Sequence, residues 1–215
     1  MEVLDNLPHD KLAICKTTGN VLQTEIIQEN NSAYASNTND AVFQEVFNPL
    51  TDELIQEIVS LQPSYIPSSI PKWIPTVACG LLKEILFTHP NSSVVFADFD
   101  WLPPPKIESK STQTRRSLLG INEPLVTSMD DIDHVCYLTA PPLCDILFPT
   151  DFQALSIYCE RLLSDSAADV NVHFMKQNEF LLMYGPNEVN HTRNWFGYTP
   201  LLEDFTNCSV LCVSR

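Results

Sequence analysis

The chain has only five glycines among 215 residues, and the two nearest to each other are Gly185 and Gly197. Loops of the GxGxxG and Walker types need clustered glycines, because these bring backbone amides against a phosphate. The sequence therefore excludes both loops. If the protein handles a nucleotide-like cofactor, the usual loop for it is not in this chain.

Basic residues are also few, with 12 Lys and Arg against 27 Asp and Glu, and the formal net charge is -15. The longest basic run is the pair Arg115-Arg116. A nucleic-acid binder depends on cationic contacts with phosphates, and this chain has almost none to offer. The composition predicts no nucleic-acid partner and favours a cationic protein or peptide.

Several catalytic and metal-binding patterns are missing too. The seven cysteines include no CxxC pair, and the five histidines lack spacings such as HExxH. No GxSxG sequence is present, so a hydrolase nucleophile is not indicated. The cysteines are predicted to be reduced, small buried side chains with no metal. The first residues carry no signal or transit peptide, and no apolar run approaches the roughly 18 residues that span a bilayer.

The chain is 44% hydrophobic, which is typical of a globular protein, and two polar stretches interrupt its apolar segments. Residues 28–40 are rich in Asn and Ser, and residues 103–120 begin with three prolines and hold four of the basic residues. Both are predicted to be surface loops.

Strand and helix patterns alternate around these loops, which is typical of an α/β fold. Strands are predicted at residues 11–16, 42–47, 93–99, 134–139, 145–148, 170–174 and 210–213. For residues 42–47, the face with Phe43, Glu45 and Phe47 is expected to be buried. The continuous apolar run at residues 93–99 predicts a strand covered on both faces of a parallel sheet, half of a doubly wound unit.

Capping residues predict where the helices begin. Asn48 is a good N-cap and Pro49 suits the first helical position, so a helix is expected to start there. Thr150 and Gln153 form a capping-box pattern for a later helix. The predicted apolar stripes are Leu54, Ile55, Ile58, Val59 and Leu61; Val77, Leu81, Leu82, Ile85 and Leu86; and Phe152, Leu155, Cys159 and Leu162. A short helix over residues 179–184 is expected to stop at Gly185-Pro186.

The segment EVLDNLPHD at residues 2–10 is the strongest candidate for a functional site. Its carboxylates, at the end of a strand running into a turn, are arranged to hold a guanidinium or another cation by bidentate hydrogen bonds. The alternative is that they are structural acids at a frayed terminus. Asp98 and Asp100 lie where the apolar strand gives way to a loop, at the edge where ligands gather in an open α/β sheet, although solvated acids that cap the next turn are an alternative. Asp145 and Asp151 are interpreted as cap and turn residues.

The segment EVLDNLPHD resembles the E-x-x-D-x-L-P motif that follows the fourth strand in the MidA-like family of S-adenosylmethionine-dependent methyltransferases. Four later segments match that family in the same order: IPKWIPTVACGLLKEI with HPNSSVVFADFDWLP, INEPLV, CDILFPTDFQAL and VHFMKQNEFLLMYG. The resemblance covers most of residues 1–185 and is nearest to the fungal-type branch. This family includes a mitochondrial arginine methyltransferase that assists the assembly of respiratory complex I.

The resemblance implies a Rossmann-like α/β methyltransferase fold, of which this chain holds the C-terminal portion. The family's first strands and glycine-rich cofactor loop lie upstream of the motif that opens this sequence, so they are expected to be absent. Residues 1–185 would form this part of the domain, with polar loops at 28–40 and 103–120. Residues 186–215 would form an extension with a final strand.

The resemblance also implies an activity, which is methyl transfer from S-adenosylmethionine to an arginine of a mitochondrial complex I subunit. Glu2 and Asp5 are the expected catalytic residues, and Asn6, His9 and Asp98 are expected to bind the substrate. The alternative is a non-catalytic, truncated relative that acts as a protein-interaction module. In either case, exposed strand edges make self-association an expectation.

Overall fold

The computed structural model describes most of the chain and divides it into two compact units. Unit 1 comprises Met1–Ala78 and Pro103–Phe148, and unit 2 comprises Cys79–Leu102 and Pro149–Arg215. The described residues are 7–29, 42–106, 121–130, 132–134, 136–138, 140–141, 143–164 and 170–214. The two predicted polar loops lie largely outside these ranges.

The described residues form a mixed α/β fold with three small sheets. The strands are β1 (Asp10–Ile14), β2 (Val21–Glu29), β3 (Val42–Pro49), β4 (Lys72–Ile74), β5 (Val94–Phe99), β6 (Leu125–Ser128), β7 (Asp133–His134), β8 (Cys144–Leu147), β9 (Asn171–Lys176) and β10 (Cys208–Ser214). The helices are α1 (Glu53–Leu61), α2 (Thr76–Thr88), α3 (Phe152–Leu162), α4 (Gln177–Tyr184), α5 (Pro186–His191) and α6 (Pro200–Glu203), with a 3₁₀ turn at Pro63–Tyr65. Most of the predicted elements are confirmed within a few residues.

Unit 1 contains an antiparallel sheet in the order β3-β2-β1-β4. β1 lies in its interior and pairs Leu12 with Gln23 on one side and Lys11 with Trp73 on the other. The β1-β2 turn uses Gly19 at a positive φ, a left-handed conformation that glycine adopts without strain. This sheet brings side chains of β1, β2 and β4 next to one another.

The predicted helix start at Asn48-Pro49 is wrong, because these residues continue β3. Asn48 pairs with Gln23 of β2, and Pro49 ends a strand at the edge of the sheet, where its missing N–H costs no ladder bond. Helix α1 instead begins at Glu53, with the Asp52 side chain accepting a bond from the Ile55 amide at 3.0 Å. The stripe of α1 is confirmed at Ile55, Ile58 and Val59, which are buried.

The second sheet of unit 1 is antiparallel, in the order β7-β6-β8. Trp73 of β4 packs with Val126, Tyr137 and Phe148 in a buried hydrophobic cluster. Of the strand predicted at residues 134–139, only His134 lies in a described strand. On β3 the predicted buried face holds only in part, since Phe47 is 38% exposed.

Unit 2 contains an antiparallel sheet in the order β5-β10-β9. The apolar strand predicted at residues 93–99 is confirmed as β5. The prediction that this strand lies in a parallel sheet covered on both faces is wrong. β5 pairs antiparallel with β10, and Val95 is 59% exposed. The central strand is β10, whose residues are almost all buried, so the predicted final strand carries much of this core.

Two helix predictions in this region need correction. The stripe of α2 faces differently from the predicted one, because Val77 and Leu81 are about half exposed while Cys79, Leu82 and Leu86 are buried. The cap of α3 is Asp151, whose side chain accepts from the Ala154 amide at 3.0 Å. Asp151 is therefore confirmed as a cap residue, and the prediction that Thr150 caps this helix is wrong. Helix α4 ends at Tyr184 before Gly185, as predicted.

All seven cysteines lie in described residues and carry free thiols. Four are buried as predicted, and three (Cys15, Cys136 and Cys144) are only partly buried. Among the described residues, no group of His, Cys, Asp and Glu is arranged to hold a metal ion. None of the helices in the described ranges has the length and apolar character that crossing a membrane requires.

Candidate functional site

Unit 1 contains a cavity of about 280 Å³ that is framed by β1, β2 and β4. Short segments of these neighbouring strands supply most of its lining. The residues that line it are Leu7, His9, Asp10, Lys11, Thr24, Glu25, Ile26, Trp73 and Tyr137. The lining is chemically varied: it combines two aromatic rings, an imidazole, a hydroxyl and both signs of charge.

His9 lies in this lining and is 7% exposed, stacked on the Phe148 ring with centroids 4.6 Å apart and an interplanar angle of 6°. Burial lowers the pKa of His9 from 6.5 to about 4, because desolvation penalises the charged imidazolium. Among the described residues neither ring nitrogen has a hydrogen-bond partner. At neutral pH, His9 is therefore an uncharged group with one donor and one acceptor to offer.

Lys11 contributes a buried cation that is already neutralised. Its ammonium, on a side chain 5% exposed, lies 2.8 and 2.7 Å from the two carboxylate oxygens of Glu45 on β3. It also lies 5.6 Å from the centroid of the Trp73 ring. The Tyr137 hydroxyl donates to the same Glu45 carboxylate, and burial, reinforced by that carboxylate, raises the pKa of Tyr137. The result is a fixed polar network along one wall of the cavity.

Asp10 contributes a carboxylate whose two oxygens both accept hydrogen bonds. Gln23 donates to one oxygen at 3.2 Å, and the Thr76 hydroxyl donates to the other. Thr24 and Trp73 differ from it, since the Thr24 hydroxyl and the indole N–H of Trp73 are buried and lack partners among the described residues. The cavity therefore combines satisfied charges with unsatisfied neutral groups.

The sequence-predicted site residues divide into three groups. Glu2, Asp5 and Asn6 lie outside the described residues, so their catalytic and substrate-binding roles remain predictions. His9 lies in the cavity lining of unit 1. Asp98 lies on β5 in unit 2.

Asp98 takes part in a hydrogen-bonded corner of unit 2. It accepts from the Thr150 hydroxyl at 2.8 Å and from the Phe99 amide at 2.8 Å, while the Thr150 amide donates to the Phe99 carbonyl at 2.7 Å. These bonds connect the end of β5 to the segment before α3. Its predicted substrate-binding role stays a prediction, and the geometry shows a structural function.

Asp100 forms a second polar cluster, two residues further on. One carboxylate oxygen accepts from the Ser209 hydroxyl at 2.5 Å and from the Lys176 ammonium. These contacts hold β9 and β10 to the chain that leaves β5. The arrangement is that of a structural ion pair at the end of a sheet.

Sequence reasoning missed most of the cavity. Thr24, Trp73 and Tyr137 stand far apart in the chain. Trp73 lies in a segment of the family resemblance but was given no role there, and Lys11 was interpreted only as part of a strand. A weak signal did exist, because Lys11 interrupts an apolar strand where a charge needs a partner. The identity of that partner, Glu45, depends on tertiary pairing.

A family model described as "Putative S-adenosyl-L-methionine-dependent methyltransferase" matches residues 1–167. This is more than half of the 215-residue chain, and the chain belongs to that family. No curated protein matches it.

Two crystal structures of superfamily proteins from Burkholderia thailandensis are similar to the whole chain. An uncharacterized protein is 16% identical with a TM-score of 0.60, and the match covers 100% of this chain and 54% of that one. A protein bound to S-adenosyl-homocysteine is 15% identical with a TM-score of 0.59, and the match covers 100% and 52%. At these identities the likeness shows the fold, and the chain spans about half the length of the solved structures it matches.

S-adenosylmethionine does not fit the described residues. The loop glycines Gly19, Gly185 and Gly197 belong to separate turns and form no phosphate-type or cofactor-type loop. The cavity has a volume of about 280 Å³. Sites for drug-sized ligands usually measure roughly 300 Å³ or more. The cavity lies close to that lower bound, so the absence of a glycine loop, and not the volume, is the evidence against a cofactor site among these residues.

Proposed function

We propose that this chain is the substrate-side, C-terminal portion of an S-adenosylmethionine-dependent protein arginine methyltransferase. The observation that carries the proposal is the family match over residues 1–167, supported by a solved protein of similar fold that binds S-adenosyl-homocysteine. The acidic balance of the chain, -15, supports a cationic acceptor such as arginine.

Within this proposal, Glu2 and Asp5 face the guanidinium of the substrate. Carboxylates orient the nucleophilic nitrogen and offset its positive charge, so their contribution is positioning and electrostatics. Asn6 and His9 would bind neighbouring substrate groups, and Asp98 is the third predicted binding residue. The burial of His9 supports a role as a neutral hydrogen-bonding group, because its lowered pKa keeps it uncharged.

The cofactor-binding half is proposed to lie outside this chain, with a Rossmann-like sheet completed by an upstream segment. Two observations support this division: the described residues form no cradle for the cofactor, and the solved structures of similar fold are about twice as long. The acceptor is proposed to be a subunit of mitochondrial complex I, with the enzyme acting in its assembly. This follows from the resemblance to the fungal-type branch of the MidA-like family.

The test compares this chain with a version extended upstream through a complete methyltransferase sheet. Calorimetry should show S-adenosylmethionine binding by the extended protein and none by the isolated chain. With methyl-labelled cofactor and complex I subunits, the extended protein should label arginine, which mass spectrometry locates. Glu2→Gln and Asp5→Asn should each lower kcat by at least about tenfold with cofactor affinity unchanged, because an electrostatic contact in the transition state is lost.

Asp130→Asn is the matched control, since Asp130 is an exposed acid outside the cavity lining. Its rate should equal that of the unmodified protein. Tight cofactor binding by the isolated chain would refute the division into halves, and label on lysine instead of arginine would refute the acceptor.

A second function, a non-catalytic interaction module, is favoured by the exposed aromatic loop of unit 2. Trp195 and Phe196 are 97% and 91% exposed, on a turn in which the Asn194 side chain accepts from the amides of Phe196 and Tyr198 at 2.9 and 3.0 Å. Rigid exposed aromatic side chains are frequent anchors of protein interfaces. If the extended protein binds no cofactor while Trp195→Ala abolishes binding to a complex I subunit, this second function replaces the first.

A further inference from the structure

The cavity of unit 1 collects buried polar atoms that lack partners. His9 is 7% exposed and Trp73 is 2% exposed, yet both imidazole nitrogens and the indole N–H have no hydrogen-bond partner among the described residues. The Thr24 hydroxyl, on the neighbouring strand β2, is also buried without a hydrogen-bond partner among the described residues. The side chains of His9, Trp73 and Thr24 all line the same cavity, which has a volume of about 280 Å³.

Unsatisfied buried groups are rare in folded proteins, because each loses its hydrogen bonds to water and gains none. Three such side chains around one cavity take their hydrogen bonds from whatever fills it, and a ligand with matching groups supplies these bonds in place of water. The indole N–H only donates, so it requires an acceptor on the ligand. Neutral imidazole and hydroxyl groups both donate and accept, so they fit a ligand that carries both functions.

The charges of the lining argue against an anion. The one cation among its described residues, Lys11, is held by both oxygens of Glu45, whereas Asp10 and Glu25 add two carboxylates. A cation is disfavoured at the unsatisfied atoms themselves. The indole N–H would face it with a positive hydrogen, and Lys11 already lies 5.6 Å from the Trp73 ring centroid. A neutral group that combines a carbonyl acceptor with an N–H donor satisfies every constraint.

We infer that this cavity is a binding site for a neutral carboxamide, the group found in asparagine and glutamine side chains, in peptide bonds and in nicotinamide-like rings. The carbonyl oxygen accepts from Trp73, and the two N–H groups of a primary carboxamide donate to His9 and Thr24. The flat imidazole and indole rings favour a planar ligand. The inference does not depend on methyl transfer, because it concerns binding to residues of this chain alone.

The experiment uses three probes of one planar shape that differ in charge: benzamide, benzamidinium and benzoate. Each is titrated into the full chain labelled with ¹⁵N, and the indole N–H signal of Trp73 is followed by NMR. Trp101→Phe and Trp195→Phe assign that signal by eliminating the other two indoles. Benzamide should give a saturable downfield shift, and the other two probes should bind at least tenfold more weakly.

Two variants test the contacts. Thr24→Val removes the hydroxyl at nearly constant volume and should weaken benzamide about fivefold, the effect of one neutral hydrogen bond. His9→Phe keeps a ring against Phe148, removes both nitrogens and should weaken it at least as much. Thr127→Val, the same change on β6 outside the lining, should have no effect.

The possible results separate cleanly. A saturable benzamide shift that Thr24→Val and His9→Phe both weaken supports the inference. Absence of a shift at Trp73 overturns it. Tighter binding of benzamidinium or benzoate would show that the ligand is charged and overturns the proposal of a neutral ligand. Equal affinity of all variants for benzamide would show that the probe binds outside this cavity and overturns the proposed site.

Discussion

The Lys11–Glu45 ion pair offers the sharpest test of the fold of unit 1. Its shorter contact is 2.7 Å, and the two side chains are 5% and 18% exposed. At that distance and an effective dielectric constant of about 20, the Coulomb attraction is about 6 kcal/mol, before desolvation removes a large part of it. Deleting one partner leaves the other charge buried without compensation.

Glu45→Gln is the informative substitution, because glutamine keeps an acceptor for the Tyr137 hydroxyl while removing the charge that faces Lys11. We expect it to lower the free energy of unfolding by about 3 kcal/mol, the low end for breaking a buried pair. In a chain of this size the expected drop in Tm is roughly 10 °C. The matched control is Glu25→Gln on the adjacent strand, where the glutamate is exposed. This control should cost less than about 0.5 kcal/mol.

The assay is urea unfolding followed by Trp73 fluorescence in a Trp101→Phe, Trp195→Phe background, which reports on unit 1. A double-mutant cycle with Lys11→Met isolates the pair. In the Lys11→Met background Glu45→Gln should cost about 0 kcal/mol, because it removes a carboxylate that Lys11 no longer compensates, so the coupling is about 3 kcal/mol. Equal costs in both backgrounds would refute the assignment of a buried ion pair.

Two further predictions concern His9 and the start of α3. Burial lowers the pKa of folded His9 to about 4 from 6.5, so the unfolded state binds more protons between these values. Stability is therefore lost as the pH falls through that window, by about 3 kcal/mol in total. Unfolding measured at pH 7 and pH 4 should show this loss for the unmodified protein and less of it for His9→Phe; an identical loss in both would contradict the pKa shift. At the start of α3, the Thr150 hydroxyl makes a buried bond to the Asp98 carboxylate, and Asp151 is the N-cap. Thr150→Val should cost about 2 kcal/mol, because it breaks a bond to a charged group. Asp151→Ala should cost about 1 kcal/mol, the usual value of an N-cap. Urea unfolding of both variants checks the order, and a smaller cost for Thr150→Val would mean that its hydroxyl bond to Asp98 is not made.

Most helices and strands could be predicted because the spacing of nearby apolar residues determines them. The strand of residues 93–99 and the stripe of α3 were recognised from apolar spacing, which reflects one neighbouring layer. Predictions failed where a distant strand decides the outcome. Asn48 and Pro49 have the form of a helix start, but pairing with β2 keeps them extended. The run at residues 93–99 is apolar enough for a doubly covered parallel strand, but its described partner is antiparallel β10.

The candidate site was less predictable than the fold, since its contacts join distant positions. Lys11 and Glu45 are 34 residues apart, and Tyr137 is 92 residues from Glu45. Of the predicted site residues that the structure describes, His9 lies in the cavity and Asp98 does not, and the character of His9 there could not be inferred from its motif. The resemblance implied that His9 binds the substrate, and burial makes His9 a neutral group.

The lysines of unit 1 sharpen the expectation of a cationic partner. Among the basic residues that the structure describes, Lys11 and Lys72 are buried. Lys11 is held by Glu45, and Lys72 donates to the Ser64 carbonyl at 2.9 Å. Neither ammonium is available to contact an anionic partner directly. Because Coulomb attraction acts over about 8 to about 10 Å at physiological salt, a partner that approaches the surface meets mainly carboxylates. The acidic balance thus favours a basic protein on grounds that are independent of the family, and it agrees with arginine as the proposed acceptor.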